Sequence, residues 1–257
     1  MADSKKRLDL YLVEQGLALS RTHAQELILA GQVFLLEKNQ RKVLKKASIS
    51  VEGSAVIEVE KGPANRFVSR GGLKLEGALE KVNLSVQGLS VLDVGISTGG
   101  FTDCLLQKGA AFVLGVDVGH GQVHASLLQD SRLHVLEGIN ARNLSRDEQV
   151  LAKIPSQKFD LAVMDVSFIS IELIIPELAT YLRSSGHLLS LVKPQFEVGV
   201  DGLGKGGIVK DASLYIKVEQ KIRQVCESNG FQILEYFDSP IEGKDGNREF
   251  FVFAKKS

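Results

Sequence analysis

The chain has 257 residues, 44% of them hydrophobic and 24% charged, which are ordinary values for a globular protein of about two domains. Basic and acidic residues number 31 each, so the net charge indicates no particular partner. The sequence has no signal-peptide pattern and no apolar stretch near the roughly 18 residues of a membrane span. We therefore expect a cytoplasmic protein that does not enter the membrane. The two cysteines, Cys104 and Cys226, are expected to be buried thiols.

Residues 1–60 are predicted to form a small α+β domain. In KKRLDLYLVEQG, Leu8, Leu12 and Val13 share one helical face. Ser20 is a candidate N-cap for a second helix, THAQELILAG. Three strand-like pieces follow (VFLLE, SISVE and AVIEVE), and the basic segment EKNQRKVLKK is interpreted as a turn between them.

Two arginines of this domain are candidates for contact with a phosphate backbone. Arg7 and Arg21 lie close to the starts of the two predicted helices. The alternative is that both are ordinary solvated surface charges, and the pattern alone leaves that choice open.

The segment RLDLYLVEQGLALSRTHAQELILAGQVFL resembles the S4-like RNA-binding domain. The resemblance implies that the helix beginning near Ser20 and Arg21 contacts RNA. Residues 61–72 are predicted to be a linker, with Gly71 and Gly72 before a helix that starts at about Leu73. Arg66 and Arg70 in this polar, basic linker are further candidates for RNA contact.

From residue 90 onward, apolar strand-like runs alternate with helical segments, including a helix expected between the second and third strands. This alternation predicts an α/β fold around a mostly parallel sheet. The last two strands, FQILEYF and EFFVFAK, are close together in the sequence and are expected to form an antiparallel hairpin at one edge.

The twelve residues VLDVGISTGGFT (91–102) predict a strand, a glycine-rich turn and a helix start. Three interpretations compete. GISTG fits the G-x-S-x-G elbow of serine hydrolases, with Ser97 as nucleophile. The dinucleotide fingerprint fails because Ser97 replaces its second glycine. The acidic-x-Gly-x-x-x-Gly loop of S-adenosylmethionine methyltransferases fits best, and a turn without a ligand remains an alternative.

Charged residues stand at the predicted strand ends. Asp117 closes the second strand, 24 positions after Asp93, where a carboxylate can accept hydrogen bonds from a ribose diol. Asp165 and Lys193 end later strands, and Glu249 begins the final antiparallel strand at the same edge. Ligands of such sheets bind at that edge.

Lys74 supplies a second lysine to this expected cluster. A lysine close to a like charge releases its proton more readily than a free one, and can then accept the proton of a ribose hydroxyl. Lys193 is the expected base, with Asp165 and Glu249 as the carboxylates that hold it. Structural ion pairs are the alternative.

The ordered set Lys74, Asp165, Lys193 and Glu249 resembles the catalytic tetrad of RNA ribose 2′-O-methyltransferases of the FtsJ type. Together with SRGGLKLEGALE, VDVGHGQ, MDVSFIS, LVKPQFE and NREFFVF, it makes nearly the whole chain similar to the TlyA, or haemolysin A, family of ribosomal-RNA cytidine 2′-O-methyltransferases. Ile96 is a departure, since the family usually has a smaller residue there.

The resemblance implies a Rossmann-like class I methyltransferase domain at 73–257, with a seven-stranded, mostly parallel sheet, after the S4-like domain and linker. It implies S-adenosyl-L-methionine as cofactor and ribosomal RNA or a ribosomal subunit as partner, without an obligate protein partner. The residues implied to line the cofactor are Asp93, Gly95, Ser97, Thr98, Gly99, Gly100, Phe101, Asp117 and Asn140. For Asn140, capping of a turn is an equal alternative.

The serine-hydrolase interpretation needs a late histidine, but no histidine follows His187. A non-catalytic RNA-binding or ribosome-assembly protein is the remaining alternative, and binding of S-adenosylmethionine would discriminate against it. His120 and His124 have no ligand partner at metal spacing, so no metal site is expected.

Overall fold

A computed structural model describes residues 5–18, 21–37, 40–60, 62, 66–241, 243 and 247–257, and only the backbone of Thr22. The chain divides into two compact units, Met1–Arg70 and Gly71–Ser257. The division falls inside the segment 61–72 that was predicted to be a linker. Lys61 and residues 63–65 of that segment lie outside the described residues, as does Ser20, the predicted N-cap.

The first unit combines two helices with short antiparallel strands. Its elements are β1 (Lys6–Arg7), α1 (Leu8–Glu14), α2 (Arg21–Leu29), β2 (Val33–Glu37), β3 (Gln40–Val43), β4 (Ser50–Val51) and β5 (Ile57–Val59). β1 pairs with β4, and β2 lies between β3 and β5. The predicted helical face is buried at Leu8 and Leu12, which pack with Leu27 and Ile28 of α2.

β3 corrects the prediction of a turn in the basic segment. Its residues lie mainly on the surface, so the apolar alternation that reveals a half-buried strand is missing. The strand is held instead by polar contacts. The Arg41 guanidinium lies 3.7 Å from the centre of the Phe34 ring and donates to Glu58 at 3.0 Å and Glu60 at 3.2 Å.

The second unit is built on one seven-stranded sheet. The elements from the linker onward are α3 (Arg70–Lys81), β6 (Ser90–Val94), α4 (Gly100–Gln107), β7 (Phe112–Asp117), β8 (Leu133–Glu137), α5 (Glu148–Leu151), β9 (Phe159–Met164), α6 (Ile175–Tyr181), β10 (Leu182–Val192), α7 (Ser213–Ser228), β11 (Phe231–Asp238) and β12 (Phe250–Lys256). The strand order is β11-β12-β10-β9-β6-β7-β8.

Five neighbouring strands of this sheet, from β10 to β8, are parallel, and β12 is antiparallel to both β10 and β11. The predicted mostly parallel, seven-stranded sheet with an antiparallel hairpin at one edge is confirmed. Its strands are apolar because they are covered: Leu92, Phe159 and Leu188 are fully buried in one cluster with Leu178 of α6 and Ile222 of α7.

Two predicted helix positions need correction. α3 begins at Arg70, three residues before the expected Leu73, and so includes Gly71 and Gly72. The helix expected between β7 and β8 is absent: residues 118–132 form turns, and Leu127 is the buried hydrophobic residue among them.

Cys104 and Cys226 are both buried free thiols, as expected. Within the described ranges, no helix is long and apolar enough to cross a membrane. The same residues contain no group of three or more side chains arranged to hold a metal ion.

Candidate active site

The carboxyl ends of β6 and β9 meet at the centre of the site. Val94 is in register with Met164, and the Asp165 N–H donates to the Val94 carbonyl at 3.1 Å. Gly95 follows with a φ of 84°, and a Cβ there would lie 2.5 Å from the carbonyl oxygen of Asp165. Glycine is therefore required both by the backbone conformation and by the close approach of the two strand ends.

β10 and β12 bring two more charged residues to this edge. Val192 at the end of β10 is in register with Phe250 at the start of β12. Lys193 directly follows Val192, and Glu249 directly precedes Phe250, so the antiparallel pairing sets both at one end of the sheet. The predicted shared edge for Asp165, Lys193 and Glu249 therefore follows from strand register.

The four charged side chains of the predicted tetrad form two ion pairs. Lys193 Nζ lies 2.6 Å from Asp165 Oδ1 and donates to Ser167 Oγ at 2.8 Å. Lys74 Nζ bonds to Glu249 Oε2. All four side chains are more than three-quarters buried. The pairing differs from the expectation that both carboxylates hold Lys193, because the described ion pair of Glu249 is with Lys74.

The glycine-rich loop after β6 is held by Asp117. The Ser97 N–H donates to one Asp117 carboxylate oxygen and the Gly119 N–H to the other, both at 2.8 Å. Ser97 and Gly99 have positive φ angles of 47° and 94°, and Gly99 is the N-cap residue before α4. Each carboxylate oxygen retains a lone pair that can accept a ribose hydroxyl.

Asp93 lies beneath this loop and is fully buried. Its Oδ2 accepts a hydrogen bond from Thr102 Oγ1 at 2.6 Å, while its Oδ1 has no partner in the part of the chain that the structure describes. Burial, opposed by the Thr102 hydrogen bond and reinforced by the charge of Asp165, raises the pKa of Asp93 to about 7. An open acceptor on a buried carboxylate fits a cationic group such as the methionine part of S-adenosylmethionine.

Other residues predicted to line the cofactor have described contacts within the protein. The Phe101 ring is buried and stacks on Phe251 with centroids 6.3 Å apart. Thr98 is exposed, and its carbonyl accepts from the His124 N–H at 3.2 Å. Gly100 is the buried first residue of α4. The Asn140 side chain accepts from the Arg142 N–H at 3.1 Å and caps a 3₁₀ turn, which is the alternative role considered for it.

Comparison with known proteins places this arrangement in a family. Residues 67–256 match the FtsJ-like methyltransferase family, and residues 6–35 match the S4 domain. The chain belongs to the FtsJ-like methyltransferase family. The predicted family resemblance, the class I methyltransferase fold and S-adenosylmethionine as the cofactor are thus confirmed.

Similar proteins span nearly the whole chain. A Mycobacterium tuberculosis relative named 16S/23S rRNA (cytidine-2′-O)-methyltransferase TlyA is 39% identical over 98% of this chain and 90% of its own. Hemolysin A of Brachyspira hyodysenteriae is 40% identical over 95% of this chain and 97% of its own. A solved structure from Streptococcus thermophilus, named as a hemolysin, matches with a TM-score of 0.73 and 39% identity, covering all of this chain and 90% of that one.

Sequence reasoning missed Phe168 in the methyltransferase unit. This residue is 90% exposed, has a φ of 64°, and contacts the Phe196 ring at 5.2 Å between centroids. A left-handed backbone is unfavourable for a bulky side chain, and such strain concentrates at functional sites. The sequence signal was only an aromatic residue in the short segment VSFIS after Asp165.

Two buried polar residues that the sequence analysis also missed connect the loops around the site. Glu197 accepts hydrogen bonds from Ser170 Oγ at 2.6 Å and the Ile171 N–H at 2.9 Å, and pairs with Lys221 at 3.2 Å. Asn247 accepts from the Val209 N–H at 3.1 Å and donates to the Gly207 carbonyl at 3.0 Å. The loops after β9 and β10 and the segment before β12 are thereby joined.

The structure describes contacts within the protein for all four arginines that were predicted to contact RNA. Arg7 and Arg21 both bind the carboxylate of Asp9. Arg70 lies 3.5 Å from a carboxylate oxygen of Glu26, and the Arg66 guanidinium lies 5.2 Å from the centre of the Phe67 ring.

Proposed function

We propose that this chain transfers a methyl group from S-adenosylmethionine to the ribose 2′-hydroxyl of a cytidine in ribosomal RNA. The observation that carries the proposal is the pair Lys193–Asp165 at the strand ends, next to the glycine-rich loop and the second pair Lys74–Glu249. The relative named as a 16S/23S rRNA (cytidine-2′-O)-methyltransferase and the S4 match at residues 6–35 support the substrate class.

The cofactor would be held by the residues around the glycine-rich loop. Asp93 offers an open acceptor to its cationic methionine part, and Asp117 offers lone pairs to its ribose hydroxyls. S-adenosylmethionine supplies an activated methyl group, so the protein mainly positions the acceptor oxygen and removes its proton.

Lys193 is the proposed general base. In its neutral form Nζ accepts the proton of the 2′-hydroxyl as the oxygen acquires the methyl group, and the resulting ammonium is stabilised by Asp165 at 2.6 Å. The contact of Lys193 with Ser167 Oγ orients the same side chain. Glu249 fixes Lys74, a second cation that can stabilise negative charge developing on the ribose oxygen.

The exposed ring of Phe168 supports a nucleotide substrate. It follows Asp165 by three residues and has a neighbouring aromatic ring, Phe196, that limits its motion. Stacking of a single-stranded base on an aromatic ring contributes about 1–3 kcal/mol in proteins that bind nucleic acids. Phe168 is therefore a candidate surface for the base whose ribose is presented to Lys193.

The proposal is tested by methylating purified ribosomal subunits and protein-free ribosomal RNA with the full-length protein and labelled S-adenosylmethionine. Nucleoside mass spectrometry should find 2′-O-methylcytidine. Lys193→Ala should slow product formation by about 10²–10⁴ and retain cofactor binding by calorimetry, whereas Lys153→Ala, at an exposed lysine, should behave as the parent. Methylation of a base, or absence of any labelled RNA with parent protein that binds the cofactor, would refute the proposal.

A further inference from the structure

One buried carboxylate in the first unit organises two arginines. The Asp9 side chain has no exposed surface. Arg7 donates to it through Nε and Nη2, both at 3.1 Å, and Arg21 donates through Nε at 2.8 Å. Gln25 Nε2 adds a fourth hydrogen bond from a side chain at 3.0 Å. The hydrogen bonds from Arg7, with those of Arg21 and Gln25, hold the pKa of Asp9 well below its usual range.

This cluster joins the starts of the first two helices. Arg7 precedes α1, Asp9 is the second residue of α1, and Arg21 begins α2. The buried Asp9 carboxylate thus fixes the orientation of both guanidinium groups. Each arginine side chain remains about half exposed, at 45% for Arg7 and 53% for Arg21.

The charge balance of the cluster favours an anion. Two guanidinium groups share one carboxylate, which leaves one positive charge uncompensated among these three residues. Arg41 of the same unit is different, because two carboxylates, Glu58 and Glu60, bind its single guanidinium group. The Asp9 cluster is therefore a better candidate for contact with a phosphate than Arg41.

We infer that Asp9 is a positioning residue that presets Arg7 and Arg21 as a two-arginine site for backbone phosphates of the RNA substrate. The inference rests on the proposed function. Long side chains lose rotamer freedom when they bind, and a side chain that is already ordered loses less. Asp9 therefore favours RNA binding because it orders the two arginine side chains in advance, although its own negative charge repels phosphate.

These two effects have opposite signs, which makes Asp9→Asn informative. If Asp9 acted only through charge, its neutralisation would strengthen RNA binding. If it positions the arginines, neutralisation should weaken binding even though the domain becomes more positive. Glu14→Gln is the matched control, because it makes the same charge change on α1 at a half-exposed carboxylate that pairs with Lys6 at 2.6 Å.

The experiment measures binding of full-length protein to purified 16S and 23S ribosomal RNA, each over a range of potassium chloride concentrations. Asp9→Asn should bind about tenfold more weakly, and the slope of log K against log salt should decrease by about 1, the change expected when one phosphate contact is lost. Glu14→Gln should bind as tightly as the parent or slightly more tightly. Unchanged affinity for S-adenosylmethionine verifies that Asp9→Asn leaves the second unit folded.

Arg21→Lys keeps the charge but loses the planar fork that contacts Asp9, and is the second variant if Asp9→Asn unfolds the first unit. It should also weaken binding several-fold. Asp9→Asn that binds as tightly as the parent with the same slope, or full affinity of Arg21→Lys, overturns the inference and leaves the methyl-transfer proposal intact. Failure of the parent to bind either RNA would instead overturn the proposed substrate and this inference with it.

Discussion

Lys193 Nζ lies 2.6 Å from Asp165 Oδ1, and Asp165 is the first residue after β9. The ion pair therefore joins the ends of two adjacent parallel strands, β9 and β10, whose register is set by the sheet. Backbone pairing, rather than a mobile loop, positions the proposed base, as expected for an edge where ligands bind.

Replacement of the proposed base should separate binding from chemistry. Lys193→Ala should retain binding of cofactor and RNA and lose about 10²–10⁴ in single-turnover rate, the usual contribution of general-base catalysis. Lys193→Arg should remain inactive, because a guanidinium group does not release its proton to act as a base. An active Lys193→Arg enzyme would show instead that the residue supplies a positioning charge.

The two ion pairs make a prediction about energetic coupling. Because Lys193 contacts Asp165 directly, the rate losses of Lys193→Ala and Asp165→Asn should be strongly non-additive in the double variant. Lys193→Ala combined with Glu249→Gln should be closer to additive, since Glu249 is bound to Lys74. Single-turnover rates of the three single and two double variants test this pattern, and equal coupling in both cycles would contradict it.

The strand ends were predictable because a charged residue after an apolar run marks the end of a buried strand, as at Asp165 and Lys193. Asp93 is the last residue but one of β6. The pairing of Lys74 with Glu249 was not predictable, since it depends on where α3 begins. Neither the strained φ of Phe168 nor the polar strand β3 could be predicted from a hydrophobic pattern in the sequence. Such features arise from tertiary contacts that override local preference.

Ile96, the departure from the family pattern, fills space next to Gly115 of β7. Its side chain is buried, and a Cβ added to Gly115 would collide with it. Gly115→Ala should therefore lower the free energy of unfolding by about 1–3 kcal/mol through overpacking. The double variant Ile96→Ala, Gly115→Ala should lose less stability than the sum of the two single losses, because the methyl group added at Gly115 occupies space that the shortened side chain at position 96 leaves.

Chemical denaturation of the single and double variants of Ile96 and Gly115 measures this coupling. Ile96→Val should bind S-adenosylmethionine with nearly parent affinity, because the side chain packs toward the sheet. A large loss of cofactor affinity in Ile96→Val, with stability unchanged, would place the side chain against the ligand instead.

Asp93 should make the stability of the cofactor-free protein depend on pH. Its pKa is raised from 3.8 to about 7, mainly by burial, so between these pH values the folded state holds a proton that the unfolded chain has released. The contribution of Asp93 to stability is therefore full below pH 3.8, falls as the pH rises to about 7 and is constant above that. A shift of this size corresponds to about 4 kcal/mol. Asp93→Asn should remove this part of the pH dependence, as measured by chemical denaturation over a pH series.

The same carboxylate should couple cofactor binding to proton release. A cationic ligand favours the ionised form of Asp93, so S-adenosylmethionine should bind more tightly as the pH rises toward neutrality and should displace a proton. Calorimetry in buffers of different ionisation enthalpy should detect this proton with the parent protein. Asp93→Asn, which can still accept the Thr102 hydrogen bond, should bind more weakly and release none. A parent binding enthalpy that does not vary with the buffer would show that Asp93 keeps its protonation state when the ligand binds, and would remove it from the cation site.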